Sequence, residues 1–163
     1  MNYLLDSNTY IQAKNFYYDM EFCPAYWDWL DQQFNSGQLA SISSVYDELA
    51  NYGDELTRWV KERKDQFLSI SEDVTQEKYI EVVQYVAELE NKNPENVANF
   101  LDKADPWLIA KAIVTGATIV THEVLDPPNS KKVKIPNICK IFEVNYITTY
   151  QLLRQLEAKF ILS

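Results

Sequence analysis

The residues with most chemistry to offer are acidic, and several stand where apolar runs end. Tyr3-Leu4-Leu5 gives way at once to Asp6-Ser7-Asn8-Thr9, a carboxylate, a hydroxyl, an amide and a second hydroxyl. In an open parallel sheet, ligands bind outside the carboxyl ends of the strands, where Asp6 would face a shared crevice. Alone, Asp6 or Ser7 also reads as the cap of a helix that starts near Thr9. On a helix over 43–52, Val45, Leu49 and Tyr52 set an apolar face; Glu48 lies about 70° from its centre, and Asp47 points away. A carboxylate leaning inward wants a partner, since burial unpaired costs several kcal/mol; a metal ion or a neighbouring Lys or Arg would serve equally. Asp105 precedes Pro106 and reads as a helix cap, with a second oxygen left for a cation. Glu123 follows Thr121 at the end of the clearest strand, 117–121, in the same topological place as Asp6. Between them stands His122, the single histidine, read as an ordinary loop residue.

The elements that must position these groups alternate. Short strands over 3–5, 39–42, 117–121 and 139–142 are separated by helices over 9–14, 25–34, 43–52, 55–67, 76–90, 95–101, 105–115 and 148–160. That alternation predicts an α/β domain with a small parallel sheet and right-handed crossovers. Ser44 and Asp47 have the spacing of a capping box, Asp54 precedes the most basic helix (Arg58, Lys61, Arg63, Lys64), and Gly37 and Gly116 stand where helices should stop. The aromatic residues near 16–34 are expected to pack in the core or at a subunit contact rather than to stack on bases. The loop over 124–136, with three prolines and Lys131, Lys132 and Lys134, is predicted to be a mobile basic segment beside the crevice.

Composition bounds the rest. The chain of 163 residues suits one domain, 1–163, and 47% hydrophobic residues with only three glycines indicate a packed protein. No apolar run approaches the roughly 18 residues of a membrane span and no signal peptide is evident, so a cytoplasmic protein without membrane contact is expected. Cys23 and Cys139 lack metal-ligand spacing and read as reduced packing residues. Fifteen basic against 24 acidic residues, a net of −9, argues against nucleic-acid binding unless positive charge is clustered. Some of the excess acid would equally suit a carboxylate site whose cation offsets it.

Taken together, Leu4-Leu5-Asp6-Ser7-Asn8, Ser43-Ser44-Val45-Tyr46-Asp47-Glu48-Leu49, Ala104-Asp105-Pro106-Trp107-Leu108-Ile109-Ala110 and Ile119-Val120-Thr121-His122-Glu123 resemble, in order and spacing, the four motifs of PIN-domain nucleases. The resemblance spans first to last strand and is strongest to the VapC-type toxin ribonucleases. It implies a three-layer domain with a four- or five-stranded parallel sheet flanked by helices, and an endoribonuclease that hydrolyses RNA with Mg²⁺ or Mn²⁺. Carried over residue by residue, it makes Asp6, Glu48 and Asp105 catalytic metal ligands and Glu123, where the family has aspartate, an outer ligand or water-positioning base. Asn8 and Thr121 become orienting groups, and Lys131, Lys132 and Lys134 candidate RNA contacts. It also implies a protein antitoxin as partner; the aromatic surface suggests a homodimer. A PIN-like module without catalysis, serving as a binding or regulatory partner, is the alternative. A phosphatase with Asp6 as nucleophile is disfavoured, because Asn8 stands where a second acid is needed.

Overall fold

The computed structural model describes residues 2–162, so the ends of the predicted 1–163 domain, residues 1 and 163, lie outside the described residues. Five strands, β1 (Tyr3–Leu5), β2 (Leu39–Ile42), β3 (Phe67–Leu68), β4 (Thr118–Val120) and β5 (Tyr146–Ile147), pair in parallel in the order β3-β2-β1-β4-β5. β1 is central, with Leu4 opposite Ala40 on one side and Ile119 on the other. Leu4, Leu5, Ile42, Ile119 and Val120 are all fully buried, as continuous apolar runs in a parallel sheet covered on both faces require.

The helices are α1 (Ser7–Gln12), α2 (Pro24–Asn35), α3 (Ser43–Leu49), α4 (Glu55–Lys61), α5 (Asp73–Ala87), α6 (Pro94–Asp102), α7 (Asp105–Thr115), α8 (Ile135–Ile141) and α9 (Thr149–Gln155). With right-handed crossovers, α1 to α4, which link β1 to β2 to β3, cover one face. α5 to α8 carry the chain back past β1 to β4 and β5 and cover the other; α2 and α3 pack on β2 from one side, and α7 packs on β2 and β4. The strand order therefore reverses at β1, and the crevice between the carboxyl ends of β1 and β4 is the switch point at which such sheets bind ligands.

Several expected elements differ. Residues 139–141 are helical and Phe142 is the C-cap: Ile135, Ile138 and Cys139 bury at helical spacing in α8, and the last strand is β5 instead. The helix expected over 55–67 ends at Lys61, and Phe67–Leu68 pairs with Ser41 and Ile42 as β3; two residues are too few to carry a strand's alternation. α3 stops at Leu49, leaving Tyr52 exposed, and begins without the Ser44–Asp47 capping box, Ile42 being its N-cap. The final helix ends at Gln155 rather than near 160, and Phe160 packs against Tyr18, Tyr26 and Trp29. α1 begins at Ser7 and continues into one π-helical turn, Ala13–Tyr17.

Core packing claims Tyr26, Trp27, Trp29 and Leu30, with Tyr18 stacked on Tyr26 at 4.4 Å, but leaves Phe16, Tyr17 and Phe22 exposed. The proline-rich loop is tied down: Asn91 Nδ2 donates to Pro128 O (3.0 Å), Lys92 Nζ to Ser130 O (2.7 Å) and Asn96 Nδ2 to Lys131 O (3.0 Å). Those bonds contradict a free segment and fix its backbone to the start of α6.

Candidate functional site

Asp6 is the first residue after β1 and the N-cap of α1 by position, yet its side chain makes no capping bond. Its backbone N–H donates to Val120 O at 3.0 Å, joining the ends of β1 and β4. The carboxylate turns into the switch point, 2% exposed, where Oδ2 accepts a hydrogen bond from Thr121 Oγ1 at 2.9 Å. Asn8, the second residue of α1, completes the clasp: Nδ2 approaches the same Thr121 hydroxyl at 3.4 Å, and Oδ1 accepts from the His122 amide at 3.2 Å. Thr121 is thus bonded to the Asp6 carboxylate, and Asn8 to Thr121.

Asp105 likewise does not cap. It is the first residue of α7, Ala104 is the N-cap, and no hydrogen bond to its carboxylate is found among the described residues although the residue is 8% exposed. Glu48 leaves α3 toward the same region and is half-buried. Its oxygens accept from Ser7 Oγ (3.1 Å) and from the Ala104 amide (2.7 Å), so it stitches the starts of α1 and α7 together. Glu123 shares a cavity of about 230 Å³ with Asp105, and its Oε1 accepts from the Ile135 amide at 3.0 Å.

Among the described residues none of the four acids forms an ion pair with Lys or Arg. The electrostatic consequence is mutual repulsion in a dry place. Burial, followed by the charge of Glu123, pushes Asp6 up to about 7 against the opposing hydrogen bonds from Thr121 and Ser7. Asp105 is pushed well above the usual carboxylate range by burial and then by Asp6, Glu123 and Glu48, with Lys103 pulling weakly the other way. Even the buried Cys139 thiol rises to about 12, chiefly through burial and then through Glu123 and Asp6. Asp6, Glu48, Asp105 and Glu123 therefore act on one another from four separate stretches of chain. Their donor set is all oxygen, which is what hard divalent cations select. The chemistry fits such an ion; among the described residues, however, no three His, Cys, Asp or Glu side chains close into a ready-made cage.

Positive charge rims the acids. Lys132 and Lys134 line the cavity that holds Asp105 and Glu123, while Lys131 does not; its carbonyl is taken by the Asn93 amide and Asn96. Lys103, next to Ala104 and Asp105, lines the same cavity; its only sign in the sequence is a cation two residues before the acid. The basic helix contributes less: Arg63 forks onto Asp31 (2.7 and 3.0 Å) and lies over Trp59, which commits it to packing. His122 accepts or donates to Thr149 Oγ1 at 3.2 Å and is held below its ordinary pKa by burial, more structured than a plain loop residue.

A family model described as "Domain of unknown function (DUF4411)" matches residues 3–160. No curated protein matches. Among solved structures, a chain in the crystal structure of VapBC2 from Rickettsia felis, bound to a DNA fragment from their promoter, is similar at a TM-score of 0.53 and 18% identity, over 91% of this chain and 98% of that one. At that identity the likeness speaks to the fold alone, which is PIN-like in its five-stranded parallel sheet flanked by helices.

Proposed function

The chain belongs to the family described as "Domain of unknown function (DUF4411)", and from that footing we propose that it is a metal-dependent endoribonuclease, the toxin of a toxin–antitoxin pair. One observation carries the reading: four acids from four segments gather around the sheet's switch point with no ion-pair partner among the described residues, and burial, together with their mutual charge, pushes Asp6 up to about 7. A site so arranged is poised for cations. Asp6, Glu48 and Asp105 would hold Mg²⁺ or Mn²⁺. A bound ion would supply the positive charge and activated water that phosphodiester hydrolysis requires.

The chain's own groups do the positioning. Thr121 fixes the Asp6 carboxylate by donating to Oδ2, and Asn8 holds both Thr121 and the His122 amide. Ser7 and the Ala104 amide aim Glu48. Glu123 has one oxygen on the Ile135 amide, which leaves the other for a water, consistent with an outer role for the longer side chain. Lys103, Lys132 and Lys134 line the cavity beside Asp105 and would draw a phosphate chain toward acids that otherwise repel it. RNA as substrate and a protein antitoxin as partner are drawn from the motif resemblance and from the likeness to VapBC2, itself crystallised on promoter DNA.

A second reading, a PIN-like module without catalysis, is favoured by the absence of a closed three-residue cage among the described residues. One assay separates them. With Mg²⁺ or Mn²⁺ the purified protein is expected to cleave single-stranded RNA, and chelator or Asp6→Asn should abolish cleavage. No cleavage of any single-stranded RNA with either metal would overturn the nuclease.

A further inference from the structure

Several large rings of this chain are buried, as their area favours: Tyr10, Tyr26, Trp27 and Trp29 are at most 8% exposed. Tyr17 and Tyr150 are not, at 47% and 40%, and both rings pack near His122, the residue before Glu123. Tyr17 ends the π-helical turn that follows α1, a local irregularity that recurs at functional sites. Its ring lies near-parallel to His122 (6.1 Å between centroids, 22°), while Tyr150 stands across both at 79°, 5.7 Å from Tyr17 and 6.4 Å from His122. Two near-parallel rings and one upright ring make a corner. Its inner member is rigid, because the His122 ring meets Thr149 Oγ1 and the His122 amide is held by Asn8. From there three hydrogen bonds lead to the carboxylate: His122 N to Asn8, Asn8 to Thr121, Thr121 to Asp6.

Resting on the nuclease reading and deepening it, we propose that Tyr17, His122 and Tyr150 form a stacking subsite for one unpaired base of the strand whose phosphate lies at the carboxylates. A ring face accepts any base, and a base paired in a duplex cannot reach it, so the corner would select single strands without fixing their sequence. His122 of the corner is the chain neighbour of Glu123, which lines the lysine-bearing cavity, so the strand would have basic groups for its phosphates and rings for a base.

The test uses the full chain carrying Asp6→Asn, so that nothing is cut, in Mg²⁺, titrated with a short oligoribonucleotide bearing the fluorescent base 2-aminopurine. Binding is expected to quench the fluorophore at one position. Tyr17→Leu and Tyr150→Leu should each weaken binding by roughly tenfold and remove the quenching, while Tyr17→Phe keeps both. The same oligonucleotide in a duplex should show neither effect. Unchanged affinity and quenching in both leucine variants would overturn the subsite, as would failure of the parent to bind a single strand, and would point to a protein contact at these tyrosines. Wild-type cleavage measured in parallel reports separately on the nuclease reading: cleavage that survives in Tyr17→Leu without loss of affinity removes the subsite and leaves the nuclease standing.

Discussion

Asp6 and Asp105 are the least comfortable residues in the fold. A carboxylate whose pKa is raised holds its proton in the folded state at pH values where the unfolded chain has lost it, so stability falls as pH rises between the two. For Asp6 that window runs from 3.8 to about 7. In chelator, the melting temperature of the wild type should drop between pH 5 and pH 8 more than that of Asp6→Asn. At pH 8 the metal-free Asp6→Asn variant should be the more stable by on the order of 1 kcal/mol. Equal pH profiles would mean that burial and the neighbouring acids do not raise Asp6 as described. Thr121 acts on the same carboxylate, and Thr121→Val should raise the Mn²⁺ concentration needed to stabilise the protein by roughly ten- to a hundredfold, beyond the cost of about 1–3 kcal/mol to the metal-free fold from the lost buried hydrogen bonds. A calorimetric titration checks it.

At the scale of elements, much of the scaffold is readable because its signals are local. β1, β2 and β4 stand out as apolar runs, Asp54 and Asn93 cap as their types suggest, and Pro106 marks the start of α7. Gly116 stops that helix at φ +75°, where a Cβ is strained although nothing crowds it, so Gly116→Ala should cost about 1 kcal/mol in a denaturant titration. What the sequence hides depends on distant partners. β3 and β5 are two residues each and exist because Ser41–Ile42 and Ile119–Val120 offer open edges. α8 reads as a strand because Ile-Cys-Lys-Ile-Phe suits either period, and burial of Ile138 and Cys139 against the rest of the fold decides for the helix. At the site, acids at strand ends and helix starts stand out from their neighbours. That Asp6 and Asp105 cap nothing, and that Glu48 pairs with an amide and a hydroxyl instead of a cation, does not.

Over the whole molecule the balance is acidic, a net of −9, yet the lysines around the acid site are not spent on ion pairs among the described residues. Total charge therefore misleads about where a polyanion would go, and local placement decides. Replacing Lys103, Lys132 or Lys134 by Gln should weaken RNA binding at low salt and lower the slope of log K against log salt by roughly 0.7 for each phosphate no longer neutralised. Lys131→Gln should change neither, since Lys131 does not line the cavity. The most direct measurement of all is the position of a metal: crystals soaked in Mn²⁺ and examined by anomalous scattering. The expected result is a Mn²⁺ peak at the crevice between β1 and β4 with Asp6 and Asp105 oxygens as ligands, absent from Asp6→Asn crystals treated alike. A wild-type crystal with no peak there at millimolar Mn²⁺, the acids well ordered and apart, would contradict the metal site on which the proposed activity depends.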